Sequence, residues 1–212
     1  MWDHAYVVTQ NGLRRRQPVQ ERSKRRVERI MAAAMDLLEA DGADAVTTRA
    51  IAERADVPVA TVYQFFPNRD AILSEILLEY LDRRDADGTA ILGTLTPSSL
   101  GEVVHALFDF HYEHMRTHPQ LVTLHYNSLA RGLLADPRLR RAEFASALHN
   151  SLLAWRLLRP DTDPLVTAVA VEMGNRLLEV AHRAGPDADR AVLAEGARAL
   201  TAYLQLYAAS AD

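Results

Sequence analysis

The feature that most constrains this chain is the period of its apolar residues. Val27, Ile30, Met31, Ala34, Leu37 and Leu38 recur at intervals of three and four. So do Ile72, Leu73, Ile76, Leu77, Tyr80 and Leu81, and again Leu100, Val104, Leu107, Phe108, His111 and Met115. Such spacing puts one stripe of side chains on a helix, whereas a strand needs alternation. No alternating run bounded by turn signals occurs, so the expectation is an all-α chain. Breakers divide it into nine helices. Ser23 is read as the cap of the first, with Gly42 as its stop. Thr47 or Thr48 caps a short second helix, which Asp56-Val57-Pro58 interrupts. The third runs over Val59–Phe65 and ends at Pro67. Asn68 caps a fourth, over about 69–86, with Gly88 as its stop. Thr96-Pro97-Ser98 opens the fifth and His118-Pro119 breaks it. A sixth covers about 120–131. Asp136-Pro137 starts a seventh, with Phe144, Leu148, Leu152 and Trp155 on one stripe. Arg159-Pro160 to Asp163-Pro164 links it to two long helices, about 164–184 and 187–208, parted by Gly185-Pro186.

Composition narrows the chemistry. The 212 residues include no cysteine, which excludes disulfides, Cys-ligated metal and thiol catalysis. No apolar run reaches the ~18 residues of a membrane span. The first residues lack a basic stretch followed by an apolar one, so no signal peptide is read and a cytoplasmic protein is expected. The formal charge of −4 is unevenly spread: residues 12–35 hold eight Lys/Arg against Glu21 and Glu28. A basic segment on an acidic body suggests contact with a polyanion, although a solvated basic tail and a membrane-surface helix give the same count. The acidic body makes anionic lipid the poorer partner.

Residues 47–66 carry the most information. A helix of about eight residues, a short break and a helix of about seven match a helix-turn-helix. Ala52 and Ala60 are small enough for the helix crossing, and Val57 and Val62 can fill the angle between the helices. Val59, Ala60, Thr61, Tyr63 and Gln64 then face outward. Gln pairs with adenine N6/N7, and Thr or apolar groups touch a thymine methyl. Tyr and Arg are common phosphate contacts.

Several separated stretches carry a resemblance: Arg26-Val27-Glu28-Arg29-Ile30, Asp41-Gly42, Thr47-Thr48-Arg49-Ala50-Ile51-Ala52, Ala55-Asp56-Val57 and Thr61 to Arg69. Over about residues 24–80 the chain resembles the DNA-binding domain of the tetracycline-repressor (TetR) family. The resemblance implies a role for each matching residue. Thr48 would cap the second helix and touch phosphate, and Arg49 would reach DNA beside it. Val59, Ala60, Thr61 and Gln64 would face the major groove, and Tyr63 a phosphate. Arg69, where the family commonly has Lys, would bind backbone phosphate, with Arg25 adding to the basic side. Residues before the first helix would form an arm at the minor groove. Asp56 stands where Gly is common and tolerates a left-handed turn, but brings negative charge. Ala60 replaces a frequent Gly. Phe65 replaces a frequent His, a possible phosphate donor.

The resemblance also implies an organisation: a basic arm over 1–20, a DNA-binding domain over 21–67, and a helical ligand-binding and dimerisation domain over 68–212. The fourth helix links the last two. Phe108, His111, Tyr112, Met115, His125, Tyr126, Trp155 and Met173 read first as core, and in such a body some would line an effector site. Val166, Ala170, Met173, Gly174, Leu177, Ala199, Tyr203 and Leu206 would build a homodimer interface. The implied protein is a repressor released from a palindromic operator by a small molecule, with no cofactor and no catalysis. A different reading starts from two Glu-x-x-His units, Glu102–His105 and Glu179–His182, which resemble the ligands of ferritin-like di-iron enzymes. It needs further carboxylates, for which Glu143 and Glu172 are the nearest. His111, His114 and His118, at i, i+3 and i+7, are a weaker metal candidate.

Overall fold

Helical periodicity is realised along the chain. A computed structural model describes residues 21–131, 138–185 and 189–209. The basic arm, the Asp136-Pro137 helix start, Pro186 and the start expected at 187 lie outside the described residues. Within them are α1 (Glu21–Asp41), a 3-10 turn (Ala43–Ala45), α2 (Thr48–Arg54), α3 (Val59–Phe65), α4 (Arg69–Thr94) and α5 (Leu100–Thr117). Then come α6 (Pro119–Arg131), α7 (Arg138–Ala154), α8 (Pro164–Ala184) and α9 (Asp189–Gln205). Among the described residues β pairing is confined to one isolated bridge, Leu158 with Ala208.

By contact the chain forms two units. The first takes in the described residues through Leu81, together with 120–131; the second takes in 82–119 and the described residues from 138 on. The contact division thus falls inside α4, whereas residue 67 is the functional division read from the sequence.

In the first unit α1 buries Val27, Ile30, Ala33, Ala34, Leu37 and Leu38. Met31 is only half-buried. The chain is already helical at Glu21, so Ser23 lies inside α1 and is not its cap. Gly42 does end the helix, its N–H donating to Leu38 O at 2.9 Å. The α4 stripe Ile72, Leu73, Ile76, Leu77, Tyr80 and Leu81 is buried throughout, and α6 contributes Leu121, Val122 and Leu124. Asn68 caps α4, its Oδ1 accepting the Ala71 N–H at 2.9 Å.

The second unit has its own core, centred on Val104, Phe108, Leu148, Leu152, Val166, Ala170, Leu178, Leu193, Ala197, Leu200 and Leu204. Here α8 packs on α9 and α7, and α5 on α9 and α8. Gly88 does not stop α4, which continues to Thr94. A glycine inside a helix costs only about 1 kcal/mol, and this one lets the rings of Phe110 and Phe144 lie against the backbone. A Cβ there would meet Phe110 at 3.4 Å and Phe144 at 3.7 Å. A buried polar pair joins α7 to α8. Thr167 Oγ1–H donates to Pro164 O at 2.9 Å, so its oxygen accepts from His149 Nδ1–H at 3.2 Å. Because Thr has one hydroxyl proton, this arrangement fixes the imidazole tautomer.

α7 ends with Arg156 in the left-handed region, at φ 57. Leu157 N–H donates back to Leu152 O at 3.0 Å, the six-to-one bond of a Schellman cap. Glycine is the usual residue at that position, since a Cβ there costs about 1–2 kcal/mol. Arg156→Gly should therefore raise stability by about 0.5–1 kcal/mol after the extra freedom of the unfolded chain is charged against it. A urea titration of the two proteins side by side checks this. A lower midpoint in the variant would show that the arginine side chain contributes more than its backbone strain costs.

Candidate nucleic-acid interface

The second and third helices are each seven residues long, too short to be stable alone. Packing in the first unit holds them. Ile51, Ala52 and Ala55 of the α2 end, and Val62, Phe65 and Phe66 of the α3 end, are buried. Val57 is half-buried in the turn. Ala60, expected at the crossing, is exposed; Ala55 supplies the second small buried residue instead. Phe65, read as a lost phosphate donor, points into the core at 3 % exposure. A histidine there would not reach a duplex without leaving that core.

The opposite face of α3 is open. Val59, Ala60, Tyr63 and Gln64 are exposed and Thr61 is half-exposed. Val59 (39 %) and Tyr63 (43 %) are among the most exposed large apolar side chains, a pattern that packing alone does not account for. Arg25 and Arg49 are exposed in the same unit. Arg25 lies 3.9 Å from Glu21 one helical turn earlier, a weak solvent-exposed pair.

The capping role expected of Thr48 belongs to Thr47, whose side chain accepts the Ala50 N–H at 3.1 Å. Thr48 Oγ1 instead lies 3.2 Å from the Tyr63 hydroxyl.

The turn depends on a residue the local pattern did not single out. Asp56 adopts φ 50, the left-handed conformation its short side chain tolerates. Arg29, 27 positions earlier on α1, donates Nη2 to the carbonyls of Ala55 and Asp56, the latter at 3.0 Å. The same group is 3.8 Å from the Asp56 carboxylate and offsets its charge. Arg29 was legible as one cation in a basic run and as part of a stretch that carries the resemblance, but without a role, because its partners are remote in sequence. Arg69 is likewise engaged within the unit. Its Nη2 donates to Ala43 O and lies 3.5 Å from Asp44, so a phosphate contact must use its other nitrogens or follow release from the 3-10 turn.

The eight effector-site candidates fall in both units. His125 and Tyr126, ring centroids 5.1 Å apart, belong to the first. Phe108, His111, Tyr112, Met115, Trp155 and Met173 belong to the second. Phe108 is core, and Tyr112 uses its hydroxyl to accept from Arg190 Nε at 3.0 Å, with that guanidinium over its ring.

His111 Nδ1–H donates to Leu107 O at 2.8 Å. Loss of hydration, then the charge of Arg84, pushes its pKa down to about 4 from an ordinary value of 6.5. The folded state thus resists protonation more than the unfolded chain does. Its contribution to stability is complete above pH 6.5 and is lost as the pH falls toward 4. His111→Leu should reduce the drop in urea midpoint between pH 7 and pH 4.5. An identical drop in both proteins would assign the acid sensitivity elsewhere.

Among the described residues the metal-enzyme reading finds no assembled site. Glu102 accepts from the Ser98 hydroxyl at 2.6 Å and from its N–H at 2.8 Å, and these bonds hold its pKa below the ordinary value. His105 is exposed. Glu179 is paired with Arg176 and Arg183, both at 2.7 Å, and Glu172 with Arg141 at 2.9 Å. Glu143 is exposed. His114 lies edge-on to Phe110, and desolvation lowers its pKa. Among the described residues no group of three or more His, Cys, Asp or Glu is placed to hold a metal.

The expected dimer residues divide as well. Val166, Ala170 and Gly174 are buried within the second unit, with Gly174 against Leu200 and Phe108. They are spent on packing inside the chain, and the sequence could not separate that use from an intermolecular one. Met173, Leu177 and Tyr203 are half-buried, and Ala199 and Leu206 are exposed. The apolar side chains left open on α8 are Leu165, Val169 and Val180. No helix among the described residues is long and apolar enough to cross a membrane.

A short helix, a left-handed turn and a second short helix with one open face, followed by a helical body, define a helix-turn-helix regulator. Residues 30–76 match the family model for bacterial regulatory proteins of the tetR family. A TetR-family transcriptional regulator from Streptomyces coelicolor, known from its crystal structure, is 30 % identical. It aligns over 86 % of this chain and 99 % of its own, with a TM-score of 0.61. The chain belongs to the tetR family, which is a family of regulators and not of enzymes. Among curated proteins it is similar to the HTH-type transcriptional repressor KstR of Rhodococcus jostii, with 42 % identity over 65 residues, 31 % of each chain. KstR of Mycobacterium tuberculosis is 39 % identical over 75 residues, 34 % of each. The match thus spans about a third of the length of these curated relatives. SmeT, the repressor of the Stenotrophomonas maltophilia efflux pump SmeDEF, shares the fold at 18 % identity and a TM-score of 0.54, over 85 % of this chain and 89 % of its own.

Proposed function

We propose that this chain is a homodimeric transcriptional repressor that binds a two-fold symmetric operator through α3 and releases it when a small molecule occupies the helical body. The observation that carries this reading is the two-sidedness of α3. Val62 and Phe65 anchor one side, and Val59, Ala60, Tyr63 and Gln64 stand free on the other. Gln64 suits an adenine edge, and Val59, Ala60 and the Thr61 methyl suit thymine methyl groups. Arg25, Arg49 and Tyr63 are polar groups of the kind that position a protein on phosphates. The division into arm (1–20), DNA-binding domain (21–67) and effector and dimer domain (68–212) follows from these roles. The KstR relatives, repressors by name, align with this chain over a segment of 65–75 residues, which supports repression as the mode of action.

Two-fold symmetry puts the recognition helices in successive major grooves, about 34–36 Å apart. The partner surface lies on the outer faces of α8 and α9 and on the turn just past α9, where Leu165, Val169, Val180, Ala199 and Leu206 are exposed. The effector, drawn to Phe108, His111, Tyr112, Met115, Trp155 and Met173 of the second unit, must favour the DNA-free form, since equal affinity for both forms shifts nothing. The protein acts in the cytoplasm and needs no cofactor.

Fluorescence anisotropy tests the proposal. Purified protein is titrated onto the DNA upstream of its own gene and onto a scrambled duplex, both at about 150 mM salt. The expected result is a preference of about a hundredfold or more, saturating at two protomers per site. Protection of one asymmetric half-site by a monomer would contradict the dimeric reading, and equal affinity for both duplexes would contradict the operator.

A further inference from the structure

We propose that Thr48 positions Tyr63, so that the two hydroxyls act on DNA as one relay and not as two contacts. The proposal rests on the DNA-binding role above and adds a positioning residue to it. The chain carries tandem threonines at the start of α2, and the structure divides their work. Thr47 accepts the Ala50 N–H and caps the helix. Thr48 is the first helical residue. A threonine deeper in a helix commonly turns its hydroxyl back to a carbonyl in the preceding turn. Thr48 has no preceding turn of its own helix. Its hydroxyl lies instead 3.2 Å from the Tyr63 hydroxyl, 15 residues on and across the turn.

The two side chains differ in freedom. Thr48 is β-branched and stiff at χ1. The Tyr63 phenol is exposed, and its hydroxyl meets that of Thr48. The bond therefore ties an exposed tip to a stiff post on another helix.

Proton accounting sets the direction. Each hydroxyl has one proton to give, and one of the two is used in their mutual bond. A phosphate oxygen only accepts. If Tyr63 donates to phosphate, it must accept from Thr48, so the order is Thr48 Oγ1–H to Tyr63 Oη, then Tyr63 Oη–H to phosphate. Successive bonds of this kind polarise one another. Thr48 then assists DNA binding without touching it.

The test is a double-mutant cycle on the full-length dimer with a duplex chosen by selection from random DNA. Tyr63→Phe and Thr48→Val are each expected to weaken binding about 2- to 10-fold, the size of a single hydrogen bond. Thr48→Ser should restore affinity, and the double variant should bind no more weakly than Tyr63→Phe alone. Losses that multiply would make Thr48 an independent phosphate contact and overturn the relay. A Thr48→Val protein that binds normally while Tyr63→Phe does not would overturn it as well. A second readout needs no DNA: the 13Cζ resonance of Tyr63 should move in Thr48→Val and stay in Thr48→Ser. An unmoved resonance in Thr48→Val would deny the bond itself. If the resonance moves but Tyr63→Phe binds DNA normally, the tether stands while the relay to phosphate and the assigned role of Tyr63 both fall.

Discussion

Phe66→Ala should cost about 3–5 kcal/mol of stability, the range for deleting a fully buried aromatic ring. Phe66 has no exposed surface. It is the residue at which the chain leaves α3, extended at φ −119 and ψ 131, with its N–H on Val62 O. Three neighbouring anchors, Val62, Phe65 and Phe66, tie a seven-residue helix to the core of its unit. Removing one of the two aromatic rings leaves α3 underpinned by two. Urea titration followed by far-UV circular dichroism reads the loss directly. Phe66→Leu keeps most of the volume and should lose markedly less. A cost in Phe66→Ala below about 1 kcal/mol would mean that the site collapses around the cavity and that the ring is not the anchor.

Gln64→Ala should change what the protein prefers and leave how tightly it grips duplex DNA in general. A bidentate amide on adenine discriminates by about 1–3 kcal/mol against the wrong base. The variant should therefore lose about 5- to 150-fold in discrimination at one base pair of each half-site, by the same arithmetic. Its affinity for scrambled DNA and the salt dependence of that affinity should stay as they were, because phosphate contacts set both. Binding to a panel of single-base operator variants separates these effects. An unchanged base profile would move the readout to Val59, Ala60 or Thr61, the remaining open positions on that face.

Much of this was legible in the sequence, for identifiable reasons. Helices were readable because each buried stripe repeats locally, as in Ile72 through Leu81. Their ends were readable where proline or a capping side chain acts locally, as at Pro119 and Asn68. Gly88 misled, because its role is set by Phe110 and Phe144, which approach from other helices. Thr47 and Thr48 were indistinguishable as caps, since either can accept an N–H and the choice depends on where the backbone turns. Ala60 and Phe65 show the same limit on a seven-residue helix. With fewer than two turns there is too little periodicity to say which side faces in. Val166, Ala170 and Gly174 are small and well spaced for close approach, but small residues suit an internal contact and an intermolecular one equally.

The grip of Arg29 on the carbonyls of Ala55 and Asp56 has a consequence for how this module can be moved. The turn between α2 and α3 is closed from outside the hairpin, by a side chain on α1. Residues 47–66 are therefore not a transplantable reading head. Cut out alone, they are two helices below the length that sustains helicity in water, with the turn's last carbonyls open. A graft that is to keep its shape in another scaffold must bring α1 through Arg29 and the buried stripe of α4 with it. The smallest heritable unit of recognition in this chain is larger than the surface that would meet a base pair.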